Sequence, residues 1–355
     1  MNRRPQTPDG APQPTEGTAD SPVLIRVDGH AGHLVLNRPR AINALTHEMV
    51  GILQEALDAW ADDDSVRTVV ISGAGERGLC AGGDIVALYE DALAGGGEAA
   101  SFWADEYRLN AAINAYPKPV VAIMDGIVLG GGIGLSAHAS VRVVTERSKI
   151  GMPETGIGFF PDVGGTWLLS RAPGETGTHL ALTAGSVRAA DAIEVGMADH
   201  LVPSERLDTL LERLADEDPE AVVTSLAEPA GPSPLAQARS WIDECYAGDD
   251  LEVIMERLRS SDHEEARQAA EVIATKSPTS LVVTLRALRE AQHLGSLPEA
   301  LEQELRLAVR FHAAPDFVEG VRAQVVDKDR NPTWQPSTIA EVDPSVVDAF
   351  FATES

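Results

Sequence analysis

Glu154 and Asp162 stand eight residues apart in the stretch MPETGIGFFPDVGG (152–165), which is otherwise almost all apolar, Gly and Pro. A carboxylate in apolar surroundings holds its proton more tightly and suits general-base work, so both are candidate catalytic groups. Pro161 and the glycines rule out one continuous helix. The two acids can face each other across a loop, or each can simply cap a helix. Two glycine runs offer a second chemistry. One is Gly78-Leu79-Cys80-Ala81-Gly82-Gly83-Asp84-Ile85, after a strand, and the other is Gly130-Gly131-Gly132-Ile133-Gly134, at a strand-to-helix junction. A ligand can approach such backbone closely, and one N–H from each run could converge on one oxygen as an oxyanion hole. Arg38, in Leu36-Asn37-Arg38-Pro39, reads as a phosphate contact or as a solvated turn arginine. Cys80, alone in an apolar run, reads as core. No GxSxG elbow is present, and no CxxC or Cys/His cluster points to a metal.

The elements that must hold these residues follow from periodicity and punctuation. Residues 1–20, rich in Pro, Gly and Thr, read as a disordered tail. Val23 to Val27 and Gly32 to Leu36 flank an Asp-Gly turn as a hairpin, and Thr46 caps a helix running to about Trp60. Val66 to Ser72 is a buried strand. A looser copy of this strand–strand–helix unit holds strands at Val120 to Met124 and Val141 to Thr145, with a short helix from Gly131 to His138. A helix from about Glu98 to Ala115 lies between the copies. Alternating strands and helices predict an α/β core over 21–189. Beyond it, 190–355 reads as mainly helical, with helices at 204–217, 234–247, 249–274, 278–292 and 297–312. Gly132 to Ala137 also matches the dinucleotide fingerprint GxGxxA. That reading is rejected: Val141 leaves too little chain for a parallel crossover helix, and the acid expected about 20 positions on is missing.

Composition bounds the partners. Of 355 residues, 28 are basic and 55 acidic, a net charge of −27 that argues against nucleic acid or an anionic membrane. Two cysteines are too few for a disulfide framework, and no apolar run reaches the length of a membrane span. The N-terminus has neither a signal peptide's apolar stretch nor a transit peptide's Arg- and Ser-rich, acid-poor composition, so a cytoplasmic protein is expected.

Taken together, and in this order along Val23 to Trp334, the motifs resemble those of the crotonase (enoyl-CoA hydratase/isomerase) superfamily. The resemblance implies an α/β fold, a spiral of repeated ββα units with a C-terminal helical region. It implies an acyl-CoA substrate whose carbonyl lies between the backbone N–H groups of Gly83 and Gly131. Hydratases of this superfamily carry one acid two residues after the triple glycine, and here that position is Gly134. Glu154 keeps the second acid position, and Asp162 stands where hydratases usually have Gly. This combination resembles the branch that hydrolyses 3-hydroxyisobutyryl-CoA, as do Phe102-Trp103-Ala104-Asp105-Glu106-Tyr107, the FVEGVRA stretch (317–323), Asp327-Lys328-Asp329 and Pro332-Thr333-Trp334. The resemblance places Glu106 at the substrate pocket, although alone it reads equally as a surface acid on a helix.

By that resemblance Glu154 activates water or attacks the thioester itself, and Asp162 holds the substrate hydroxyl or fixes Glu154. Arg38, Asp84 and Lys328 are expected on the substrate's CoA side. No metal or redox cofactor is expected, and trimeric assembly is what the superfamily suggests. A hydratase or isomerase of the same fold and a non-catalytic acyl-CoA binder are the alternatives.

Overall fold

The computed structural model describes residues 20–352, so the expected disordered tail lies, but for Asp20, outside the described residues. Strands β1 (Val23–Asp28) and β2 (Ala31–Leu36) form the expected antiparallel hairpin. Helix α1 (His47–Ala61) follows, its first turn capped by the Thr46 hydroxyl, which accepts from the Met49 N–H at 3.2 Å. Next come β3 (Thr68–Gly73), α2 (Ile85–Ala94), α3 (Glu98–Asn114), β4 (Val120–Met124), β5 (Ile127–Leu129), the short α4 (Gly131–Ser136), β6 (Val141–Val144), β7 (Lys149–Gly151) and α5 (Gly165–Leu169). Two short strands, β8 (Ser186–Val187) and β9 (His200–Leu201), complete the sheets. One sheet has the order β1-β2-β3-β4-β6-β9, and the smaller one β5-β7-β8. The repeat is therefore visible as β1-β2-α1-β3 and β4-β5-α4-β6, with β5 peeled away into the second sheet.

All pairs of the large sheet except β1–β2 are parallel. Both faces are covered, which explains why β3 and β4 are unbroken apolar runs. Val69, Ile71, Val120, Ala122 and Met124 face the main core, whereas Val70, Val121 and Ile123 face a second cluster with Leu210, Leu214, Val222 and Val223. That second layer comes from helices Leu207–Arg213 and Pro219–Leu226. The sheet's last strand, β9, falls after residue 189.

Two local expectations are corrected, and one helix is added. The segment 249–274 is two helices, Leu251–Ser260 and Glu264–Ile273, because Ser261 turns extended (φ −65°, ψ 144°). Helix α2 carries no signal in the sequence, since only its Leu88 is buried and it has no clear apolar stripe. Finally, β4 and β6 are parallel neighbours. A short helix is enough for that crossover, so chain length was not a sound ground for rejecting the dinucleotide reading. The strand leading into the glycines, β5, pairs instead with β7 in the small sheet.

Candidate active site

Gly131 is the first residue of α4, so its N–H has no intrahelical acceptor. Gly83 sits in a single β-bridge with Leu45, in which Leu45 N–H donates to Gly82 and Asp84 N–H donates to Leu45. Gly83 N–H is left over. Neither of these amides donates to another group among the described residues. They are close together: a β-carbon on Gly131 would lie 3.3 Å from the Gly83 nitrogen, and one on Gly82 3.8 Å from the Gly131 nitrogen. Bridges Cys80–Val128 and Gly78–Gly126 tie the first glycine run to β5 and its turn, which fixes this approach.

The carboxylates surround the same spot. A β-carbon on Gly130 would stand 2.8 Å from Glu154 Oε1, and one on Gly131 would stand 2.5 Å from Glu106 Oε1. A side chain at either position would push one of these carboxylates aside. Gly130, at φ +47° and ψ −118°, needs glycine for its backbone conformation as well. Glu154 opens a 3-10 turn (Glu154–Ile157) after Pro153, and Glu106 lies on the buried face of α3. Asp162 accepts a 2.7 Å hydrogen bond from the Tyr107 hydroxyl. Glu106, Glu154 and Asp162 are only 2%, 6% and 6% exposed, and Glu106 Oε1 and Glu154 Oε2 have no hydrogen-bond partner among the described residues.

Burial, followed by the nearby Asp162 charge, raises Glu106 and Glu154 well above the usual carboxyl range. Asp162 is pushed up to about 7 by burial, against the hydrogen bond from Tyr107. The three titrate as a coupled set, and Asp162 is the one with a hydroxyl donor. Cys80 is fully buried and its thiol is pushed up to about 12, which removes it as a nucleophile.

The loop carrying Asp162 is held from two sides. His138, buried and pushed down to about 4, is a neutral ring whose Nε2–H donates to Val163 O at 2.8 Å. Glu304, on helix Leu297–His312, accepts from Gly164 N–H at 2.6 Å, from Thr166 N–H at 2.9 Å and from the Thr166 hydroxyl. Between these contacts Val163 is left-handed at φ +53°, a conformation that costs a β-branched residue on the order of 1–3 kcal/mol. Tyr107, Asn110 and Glu304 were missed in the sequence. Their signal was positional, since Glu304 occupies an apolar-stripe position among Leu297, Ala300, Leu301, Leu307 and Phe311.

The remaining candidates are arranged differently. Arg38 pairs with Asp84 (Nη2–Oδ2 2.9 Å) and donates to Ala44 O at 2.6 Å, so the two steady the backbone on either side of Leu45 and Gly83. Lys328 is exposed and has no contact with the carboxylates. It follows the π-helix Arg322–Val326, which packs against α2 and the Glu154 turn. A cleft of about 130 Å³, lined partly by Leu45, Asp84, Ala99 and Phe102, adjoins Gly83. A larger cavity, about 750 Å³, shares no residue with the cluster and lies against helices Leu251–Ser260, Pro278–Ala291 and Pro344–Phe351. Among the described residues no group of His, Cys, Asp and Glu could hold a metal ion.

Residues 31–351 match the profile of the enoyl-CoA hydratase/isomerase family. The chain belongs to that family. A relative from Danio rerio named 3-hydroxyisobutyryl-CoA hydrolase, mitochondrial, is 41% identical over 94% of this chain and 90% of its own length. The Homo sapiens protein of the same name is 39% identical over 90% of this chain and 86% of its own. Among solved structures, one described as a carnitinyl-CoA dehydratase from Mycobacterium thermoresistibile is 53% identical, with a TM-score of 0.92 over 94% of this chain and 97% of that one. An enoyl-CoA hydratase from Rhodobacter sphaeroides is 41% identical, with a TM-score of 0.87 over the same shares. The crotonase fold with its helical C-terminal region, expected from sequence, is the fold of these neighbours. At the position where family hydratases carry their first acid, Gly134 leaves no room for one. A β-carbon there would meet Asn110 Nδ2 at 2.8 Å, Val163 Cβ at 2.8 Å and Asn110 Oδ1 at 2.9 Å.

Proposed function

We propose that this enzyme releases CoA by hydrolysing 3-hydroxyisobutyryl-CoA, the thioester met in valine breakdown, or a related short 3-hydroxyacyl-CoA. The observation that carries this reading is the convergence of two free amides, Gly83 and Gly131, with Glu154 at the same few ångströms. The hydrolase names of relatives at 37–41% identity support it. An oxygen from water deprotonated by Glu154, or from Glu154 itself, bonds to the thioester carbon. The electron pair displaced onto the carbonyl oxygen is held by the two N–H donors, each typically worth about 3–4 kcal/mol of barrier. Collapse breaks the C–S bond, and the departing thiolate takes up a proton. On the covalent route the single water consumed opens the mixed anhydride and returns the carboxylate of Glu154. Heavy oxygen recovered in Glu154 after turnover in labelled water would establish that route.

Asp162 sets the charge state of Glu154 or holds the acyl hydroxyl. CoA belongs to the substrate, and no separate cofactor takes part. Arg38 and Asp84 shape the oxyanion loop, while Lys328 covers the nucleotide end. The test is a thiol-reactive dye with 3-hydroxyisobutyryl-CoA: free CoA appears with the native enzyme and is abolished in Glu154→Gln. Assembly as trimers goes with this reading, and a monomer mass by light scattering would overturn it. The described residues hold no helix long and apolar enough to cross a membrane. The vertebrate relatives are named mitochondrial, against the cytoplasmic location expected from the sequence, and cell fractionation decides between the two.

A second reading, dehydration, is favoured by the name of the 53% identical structure. It leaves the thioester intact, so an unsaturated CoA ester would accumulate with no free thiol. The filled space at Gly134 weighs against it.

A further inference from the structure

Helices α3 and α4 face each other in two rungs: Glu106 stands against Gly131, and Asn110 against Gly134. The first rung is at the oxyanion amide. The second lies one helical turn further, about 6 Å along α3. Asn110 is completely buried, yet neither its Oδ1 nor its Nδ2 has a hydrogen-bond partner among the described residues. Buried side-chain amides are ordinarily satisfied, so an unmet one calls for a functional role or for a partner that the protein itself does not supply. A carboxamide presents an acceptor and a donor side by side, and a hydroxyl can answer both at once. The 3-hydroxyl of an acyl chain sits three bonds beyond the carbonyl carbon, and a hydrogen bond of about 3 Å extends its reach to the second rung. Of the neighbouring acids, Glu106 is at the first rung, and Asp162 has one of its two oxygens, Oδ2, engaged by Tyr107, whereas both polar atoms of Asn110 are unmet.

We propose that Asn110 is the specificity determinant for the substrate's 3-hydroxyl, occupying the space in which family hydratases keep an acid. The inference rests on the acyl-CoA reading above and names which acyl group that site prefers. The test uses two CoA analogues in which a CH2 replaces the thioester sulfur. They keep the carbonyl and cannot be hydrolysed; one carries the 3-hydroxyisobutyryl group and the other isobutyryl. The native enzyme binds the hydroxylated analogue roughly ten- to a hundredfold more tightly, the usual worth of a buried hydrogen bond whose loss leaves a polar group unpaired. In Asn110→Ala and Asn110→Leu the preference collapses towards unity because the hydroxylated analogue weakens alone. An equal loss for both analogues, a preference that survives in the variants, or failure of both variants to fold would overturn the proposal. Release of free CoA from the true thioester is a separate measurement. If it fails while the hydroxyl preference and its loss stand, hydrolysis falls and the Asn110 site remains.

Discussion

At Gly131 the effect of a single methyl group can be read from its neighbours. A β-carbon would be pressed to 2.5 Å from Glu106 Oε1, 3.0 Å from Leu45 Cδ1 and 3.3 Å from the Gly83 nitrogen. Gly131→Ala should therefore cut kcat/KM by at least about 100-fold, the cost of spoiling one oxyanion donor, in a thiol-release assay. Asp162 affords a test of charge. Its carboxylate raises both Glu154 and Glu106, so Asp162→Asn should let Glu154 ionise at lower pH. The rising limb of the pH–rate profile should move to lower pH, and an unmoved limb would remove Asp162 from the coupled set. Glu154 and the two amide glycines were legible because each lies in a short motif whose chemistry is local. Asn110 was not, since its role depends on Gly134, on another helix, lacking a side chain.

At the scale of elements, the loop between Phe160 and α5 is the part most dependent on distant support. Its strained Val163 is bracketed by His138 and by Glu304, 140 residues away from Gly164 along the chain. Glu304→Ala leaves two backbone N–H groups and a hydroxyl buried without an acceptor, and should destabilise the protein by on the order of 3 kcal/mol in urea unfolding. Glu302→Ala, on the same helix with its side chain 76% exposed, should cost less than about 0.5 kcal/mol. Equal losses would show that Glu304 does not hold the loop. The helix bearing Glu304 was read correctly from its 3.6-residue period, and so were α1 and α3. Its acid could not be assigned a partner, because periodicity tells which face is buried and not what that face meets. Helix α2 escaped for the opposite reason, having almost no buried face.

Across the whole molecule, five carboxyls raised by burial among the described residues, Glu106, Glu154, Asp162, Glu304 and Asp316, make stability depend on pH in a definite sense. A carboxyl whose folded pKa lies above its unfolded value binds its proton more tightly in the native state. Its contribution is fully present below the unfolded value, near pH 4, and is lost as pH rises through the folded one. For Asp162 that window closes at about 7 and for Glu304 at about 8, and Glu106 and Glu154 act in the same direction. Unfolding free energy should fall between about pH 4 and pH 8, and Glu106→Gln should raise the thermal midpoint more at pH 8 than at pH 5. A gain independent of pH would show that Glu106 is not held protonated. The α/β core and the helical C-terminal region were both foreseen from the alternation and then the disappearance of strand patterns along the chain. Their interpenetration was not, because helices after residue 189 cover one face of the sheet and supply Glu304 to the site.

The turn Glu154–Ile157 and helix Pro315–Val321 meet main chain against main chain. A β-carbon at Gly158 would collide with the carbonyl of Asp316, and one at Gly320 with the carbonyl group of Ile157. Neither glycine can drift alone, so the acid and this late helix are bound to be inherited as a pair. A chimera that borrowed its tail from a more distant cousin would carry the glutamate out of line with the amides, even with every motif in the front half intact.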